Sequence, residues 1–132
     1  MASILKVDAL QGVTAAGSIL VTGEGNSTTT NLQQGLAKAW GNILADGTGY
    51  QDSFNTSGST DTGAGQTEVA FTNNMNNAVY ASHATNNNYG STNRTAGTKN
   101  VITSGFRCST GSGSSNSFVD YLRSFAVNGD LA

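Results

Sequence analysis

The stretch that decides the fold class is TEVAFT, residues 67–72, near the middle of the chain. Thr67, Val69 and Phe71 fall on one face of an extended backbone, and the intervening residues fall on the other. Alternation with a period of two is typical of a β-strand that buries one face and exposes the other. The stretch 118–127 likewise places several apolar and aromatic residues on one face. The chain is therefore predicted to be built from half-buried strands.

Further short strands are predicted on both sides of this stretch, separated by turns and loops rich in Gly, Asn, Asp and Ser. The predicted strands are 36–44, 50–55, 78–85, 101–108 and 118–127, and the predicted loops are 61–65, 86–100 and 109–116. The spacing is regular, at about 10–15 residues, and no helical pattern alternates with the strands. We therefore predict an all-β fold, an antiparallel β-sandwich of jelly-roll-like type.

One predicted strand, 36–44, carries the only tryptophan of the chain. Alternation places Trp40 on the same face as Leu36 and Leu44. Large apolar side chains on a shared face are usually buried in a core or an interface. We therefore expect Trp40 to anchor the core or a subunit interface, and not to stack on a ligand.

The first 35 residues differ from the remainder. Two short strands are predicted at 3–8 and 18–22, and the polar tract 26–31 is typical of a linker. We expect residues 1–35 to form a short extended N-terminal arm for docking or oligomerisation. Residues 36–132 are expected to form the sandwich domain.

The composition is polar but weakly charged. Gly, Thr, Ser and Asn fill 64 of the 132 positions, and charged residues make up only 11%. Such a surface, with scattered aromatics, suits a β scaffold with many turns. The formal net charge of −2 gives no electrostatic reason to expect nucleic acid or an anionic membrane as partner. The longest apolar run near the start, 19–21, is too short for membrane insertion.

The sequence contains no convincing catalytic constellation. His83 is the only histidine, and no Ser or Asp stands at a spacing that predicts a triad with it. A glycosidase pair also lacks support, because Glu24 and Glu68 are the only glutamates and the aspartates lie mostly in turn-like contexts. We expect a protein that is not an enzyme, with no catalytic residue and no cofactor.

Metal ligands are equally sparse. With Cys108 and His83 each single, neither a disulfide nor a zinc site can form within one chain. The turn at Asp46-Gly47 and the loop 61–65 resemble calcium loops only faintly. We expect no metal-ligating residue, and the sequence alone leaves a bound calcium ion open.

The predicted loop 86–100 is the candidate recognition site. It contains Tyr89, Arg94 and Lys99 among several asparagines. An aromatic ring can stack on a sugar, and amide and cationic groups can donate hydrogen bonds to its hydroxyls. An ordinary polar loop would have the same residues. Because binding residues concentrate on loops held by a scaffold, we predict these three as ligand-binding residues for a host-surface carbohydrate. The loop 109–116 leaves the opposite end of the predicted strand 101–108 and is not expected to share this site.

An ordered series of short motifs follows Leu36 along the chain. The motifs are Ala39-Trp40-Gly41-Asn42 with Gly47-Thr48-Gly49, Asp52-Ser53-Phe54-Asn55, Thr60-Asp61 with Gly63, Gly65, Val69 and Phe71, Met75 with Asn77, Ala78 and Tyr80, and the stretch 118–127. In this order they resemble a domain at the C-terminal ends of tail-fibre and other virion structural proteins of marine and freshwater bacteriophages. The opening stretch SILKVD, residues 3–8, is similar to the start of many such proteins. Asn76 departs from the pattern, because the family often has proline there.

The resemblance implies a bacteriophage virion structural protein on the particle surface, a tail-fibre or tail-tip subunit involved in host-surface attachment. A head decoration or capsid-vertex protein of the same virion is the alternative. The family offers no catalytic residues. Few charges and a separate arm further predict a homo-oligomer, a trimer, in which residues 1–35 contact other virion proteins. Neither a nucleic-acid partner nor membrane insertion is expected.

Overall fold

A computed structural model describes residues 5–14, 19–22, 28–87, 94–113 and 117–132. The chain divides into two compact units, Met1–Leu36 and Ala37–Ala132. The division falls one residue beyond the boundary predicted between arm and domain.

The first unit contains a small antiparallel hairpin and one helical turn. Strand β1 (Leu20–Thr22) pairs with β2 (Thr29–Asn31), and helix α1 (Leu32–Gly35) follows directly. The Asn31 side-chain oxygen accepts a hydrogen bond from the backbone of Gln33 at 2.9 Å, which caps this turn. The predicted linker at 26–31 is therefore wrong for residues 29–31, while 26 and 27 lie outside the described residues. The strand predicted at 3–8 is not formed by residues 5–8, and 3 and 4 are also outside the described part.

The second unit is an antiparallel β-sandwich, which confirms the predicted fold class. Sheet I has the strand order β4-β3-β11-β7, and sheet II has the order β5-β6-β9-β8, with β10 pairing with the end of β9. The strands are β3 (Ala39–Ile43), β4 (Tyr50–Phe54), β5 (Thr56–Gly63), β6 (Gln66–Phe71), β7 (Ala81–Asn86), β8 (Arg94–Ile102), β9 (Gly105–Ser112), β10 (Ser117–Phe118) and β11 (Arg123–Asn128).

A single residue carries the chain from sheet I to sheet II between β4 and β5. Asn55 has a φ of 55°, a left-handed conformation that asparagine tolerates better than most residues. Its side-chain nitrogen donates to the carbonyl oxygen of Lys38 at 2.9 Å and to that of Asn73 at 3.1 Å. These bonds hold the bend, so the edge strand β4 of sheet I leads directly into the edge strand β5 of sheet II.

The core lies between the two sheets. Sheet II contributes the predicted buried face of β6, and Thr67, Val69 and Phe71 are all buried there, as expected. The other buried apolar residues are Ala39, Ile43, Met75, Phe106, Cys108, Phe125 and Val127. Phe106 of β9 meets Phe125 of β11 edge to face, with 5.1 Å between the ring centroids, so the two sheets interlock through aromatic contacts.

The inward face of β11 also buries a cation that the apolar pattern of 118–127 did not reveal. Arg123 is fully buried beside the core residue Phe125. Its guanidinium donates to the Thr110 hydroxyl at 3.0 Å and to the carbonyl oxygen of Ala45 at 3.4 Å. Strand β11 begins at Arg123, so the single long strand predicted at 118–127 is instead two strands, β10 and β11.

Three predicted loops and one further predicted strand are wrong in part, and the first of these loops, 61–65, has its residues 61–63 in β5. Residues 94–100, expected in a loop, belong to β8, and 101–108, expected as one strand, contain the turn Thr103-Ser104 between β8 and β9. Residues 109–112 extend β9, while 88–93 and 114–116 lie outside the described residues. Strand β8 has only three apolar residues, Ala96, Val101 and Ile102, and they do not alternate along it, so its strand conformation comes from pairing with β9 and not from an apolar pattern.

Two outward sheet faces as candidate binding sites

The predicted ligand-binding residues do not converge. Arg94 and Lys99 both lie on β8, five positions apart in an unbroken register with β9, and therefore on opposite faces of sheet II. The guanidinium carbon of Arg94 lies 3.6 Å from the centroid of the Tyr121 ring. Tyr89 lies outside the described residues. The pairing also corrects the expected loop geometry: Arg94 is the cross-strand partner of Ser112, so the start of β8 and the end of β9 lie at the same end of sheet II.

The outer face of sheet II contains a groove of about 300 Å³. Thr60, Glu68, Asn100, Ile102 and Arg107 are among the residues that line it. The guanidinium of Arg107 lies 2.5 Å from the Glu68 carboxylate, and the side chain of Ile102 is exposed. The groove is therefore amphipathic, with its one ion pair already formed between its own walls.

Lys99 stands on this same outer face, beside the groove. Its ammonium donates to the Gln66 side-chain oxygen at 2.7 Å and lies 4.7 Å from the centroid of the Phe118 ring. A cation over an aromatic ring gains electrostatic stabilisation from the ring quadrupole. Of the three predicted residues, Lys99 is thus the one that the structure places on an outward sheet face.

The outer face of sheet I carries a row of aromatic side chains. In the register of the four strands, Phe54 pairs with Trp40, Trp40 with Ala126, and Ala126 with His83. These four residues, called the aromatic row below, cross the whole sheet. Trp40 is 39% exposed and Phe54 is 53% exposed, so both rings present surface to solvent.

Of the two roles predicted for Trp40, a place in the core is wrong, and a place in a subunit interface stays a prediction. Residues of β3 alternate, and it is Ala39, Gly41 and Ile43 that point inward. A Cβ atom on Gly41 would stand 2.8 Å from the Phe125 ring, so the missing side chain makes room for that ring. The Phe125 ring of the neighbouring strand β11 therefore fills the core space beside Gly41, and Trp40 lies on the outward face of β3.

A row of polar side chains runs beside the aromatic row. The register pairs Asp52 with Asn42, Asn42 with Ser124, and Ser124 with Thr85. This set is called the polar row below. It lies two residues along each strand from the aromatic row, a distance of about 7 Å. Strands β3, β4, β7 and β11 thus present an aromatic and a polar line side by side.

Hydrogen bonds between amide side chains hold the polar row in place. The Asn42 nitrogen donates to the Gln51 side-chain oxygen at 2.7 Å. The Asn87 nitrogen donates to the Asn42 oxygen at 3.1 Å and also to the Ser124 hydroxyl. Side chains tied into such a network lose little further rotamer freedom when a ligand binds.

The charge on this face is low. Among the outward residues of the four strands, Asp52 is the only one with a full charge, and none is Lys or Arg. Sheet II, in contrast, presents Lys99, Arg107 and Glu68 on its outer face. The two faces therefore suit ligands of different charge.

Among the described residues, the side chains of Cys108, Asp46 and Asp61 have structural roles. Burial raises the pKa of the Cys108 thiol to about 11, so it is a poor nucleophile. Asp46 and Asp61 accept hydrogen bonds from the backbones of Thr48 and Gly63, at 3.1 and 3.0 Å, as turn-forming aspartates do.

In the part of the chain that the structure describes, no three His, Cys, Asp or Glu side chains lie close enough to hold a metal ion. Nor does it contain a helix that is long and apolar enough to cross a membrane.

The chain matches no known protein family, no curated protein and no solved structure. The aromatic row had only a weak signal in the sequence, namely Trp40 and Phe54 within two of the motifs. Their alignment with His83 depends on which strands are neighbours, and that information exists only in the folded sheet.

Proposed function

We propose that this protein is a structural subunit of a bacteriophage particle, a tail-fibre or tail-tip protein on the virion surface that takes part in host attachment. The ordered motifs between Ala39 and the stretch 118–127 support the family, and an all-β sandwich is compatible with it. The observation that carries the proposal is the large number of exposed apolar side chains, which an isolated chain would leave in water.

The first unit shows this exposure most clearly. Its exposed large apolar residues are Leu5, Val7, Leu10, Val13, Leu20, Val21 and Leu36. A segment of this length cannot build a sizeable core by itself. Exposed large apolar side chains in this number favour a role in an interaction. This supports a role for residues 1–35 as the arm that contacts other copies and other virion proteins, in a homo-oligomer that we propose to be a trimer.

The proposal assigns no reaction to the protein. Burial raises the pKa of the Cys108 thiol, which makes it a poor nucleophile. The role is instead mechanical and adhesive.

The location is tested by labelling intact virions of the phage that encodes the chain. An antibody to the sandwich unit should decorate the tail fibres or the tail tip in electron micrographs. Label at the head vertices would favour the alternative, a decoration protein, and intact particles without label would overturn both. Light scattering of the full chain at micromolar concentration should give three times the chain mass, and a stable monomer would contradict the proposed trimer.

A further inference from the structure

We infer that the outer face of sheet I is a binding site for a neutral glycan, in which sugar rings stack on the aromatic row and hydrogen-bond to the polar row. The inference rests on the proposed role in host attachment and deepens it by naming the ligand class and the residues. It also moves recognition away from Tyr89, Arg94 and Lys99.

The geometry of the aromatic row suits a sugar chain lying across the strands. Neighbouring strands are about 4.8 Å apart, so Phe54 and Trp40 are adjacent, and His83 stands about 10 Å beyond Trp40. Ala126 lies between Trp40 and His83 and leaves a shallow gap between them. The C–H face of a sugar ring is apolar and packs on an aromatic face, so the row offers a line of stacking positions.

The polar row supplies the second half of the recognition. A sugar ring stacked on Trp40 keeps its hydroxyls at the ring edge, where the Asn42 and Ser124 side chains lie two residues along the strands. Amides and hydroxyls can both donate and accept hydrogen bonds, as sugar hydroxyls do. The bonds from Asn87 and to Gln51 hold Asn42 in position.

Charge decides between neutral and acidic glycans. The four strands present no cation outward, and Asp52 would repel a carboxylate or sulfate group. The cationic side chains Lys99 and Arg107 lie on the opposite sheet. A neutral glycan is therefore the complementary ligand, and an acidic one is disfavoured on this face.

Trp40 is the only tryptophan in the chain, so its fluorescence reports directly on this site. The full chain is titrated with neutral hexaoses of glucose, mannose and galactose, and with heparin as the acidic comparison. We expect at least one neutral hexaose to shift the Trp40 emission to shorter wavelength, since stacking removes water from the ring, and heparin to have no such effect.

Variants then locate the binding. Phe54→Ala removes an exposed ring from the row and should weaken binding roughly tenfold. Asn42→Ala tests the polar row in the same way. Phe118→Ala is the matched control, because its ring is 50% exposed on sheet II. It should leave the affinity unchanged. Circular dichroism checks that each variant is folded. Variants of Trp40 lack the fluorescent ring, so their glycan binding is measured by affinity electrophoresis. Trp40→Tyr, which keeps an aromatic ring, should bind more tightly than Trp40→Ala.

Three results would overturn the inference. The first is that no hexaose binds. The second is that binding is restricted to heparin or is lost in Phe118→Ala. The third is a change in oligomer mass in Trp40→Ala, because the row would then be covered by another copy of the chain. Each of these is separate from the virion labelling, which can place the protein on the tail whether or not this face binds sugar.

Discussion

Replacing Gly41 by alanine tests the packing of β3 against β11, because the sequence and the structure predict opposite effects on stability. Glycine in a strand is generally about 0.5–1 kcal/mol less favourable than alanine, so a sequence argument expects Gly41→Ala to stabilise the protein. The structure predicts the opposite sign. A Cβ atom at this position would stand 2.8 Å from Cε1 and 3.0 Å from Cζ of Phe125, and 3.2 Å from the Tyr50 ring.

The Phe125 ring has little room to retreat, because Phe106 packs against it on the other sheet at 5.1 Å. Overpacking of this kind costs about 1–3 kcal/mol. Set against the backbone gain, the expected net effect is a loss of about 1 kcal/mol. In a unit of this size that corresponds to a melting temperature lower by about 4–8 °C for each kcal/mol.

Urea denaturation followed by circular dichroism measures the change, and Gly97→Ala is the control. Nothing lies within 4 Å of a Cβ built on Gly97, also a strand glycine, so that variant should be neutral or slightly more stable. Phe125→Leu should cost less in the Gly41→Ala background than alone, with a coupling of about 0.5–3 kcal/mol. A Gly41→Ala midpoint at or above that of wild type would refute the packing argument.

Three further outcomes are expected. Gly105→Ala should lower the free energy of unfolding by about 3 kcal/mol or prevent folding, because its Cβ would overlap the carbonyl oxygen of Val69. A soluble variant with the melting temperature of the wild type would contradict the close approach of β9 to β6. Cys108, with a pKa raised to about 11 by burial, should resist iodoacetamide at pH 8 until urea is added, whereas rapid labelling of the native protein would show that it is accessible. Burial raises the pKa of both Tyr50 and Tyr80 to about 12. The native state then keeps protons that the unfolded chain releases near pH 10, so stability should fall as the pH rises from about 10 to 12. Ultraviolet titration of the tyrosines and urea midpoints across this range measure the effect, and midpoints that do not fall above pH 10 would refute it.

The candidate sites illustrate the limits of local reasoning. Arg94 and Lys99 are close in sequence, which predicts a single loop for both, but strand pairing with β9 separates them onto two faces. Phe54, Trp40 and His83 are far apart in sequence. The pairing of β3 with β4, and of β11 with β3 and β7, brings them into one row. In both cases the deciding fact is a cross-strand partner, which a single sequence does not contain.

The sequence by itself determined that the protein is all-β and that residues 67–72 bury Thr67, Val69 and Phe71. It also determined that strands and turns alternate at short intervals. These features are local, because a period of two and a turn residue act over a few neighbouring positions. Only the tertiary structure decided that β8 is a strand and that Trp40 faces outward. Strand β8 has no apolar pattern and depends on β9 for its conformation, and the inward volume at β3 is filled by Phe125 from another strand. Such choices depend on contacts between residues distant in sequence, where packing overrides local preference.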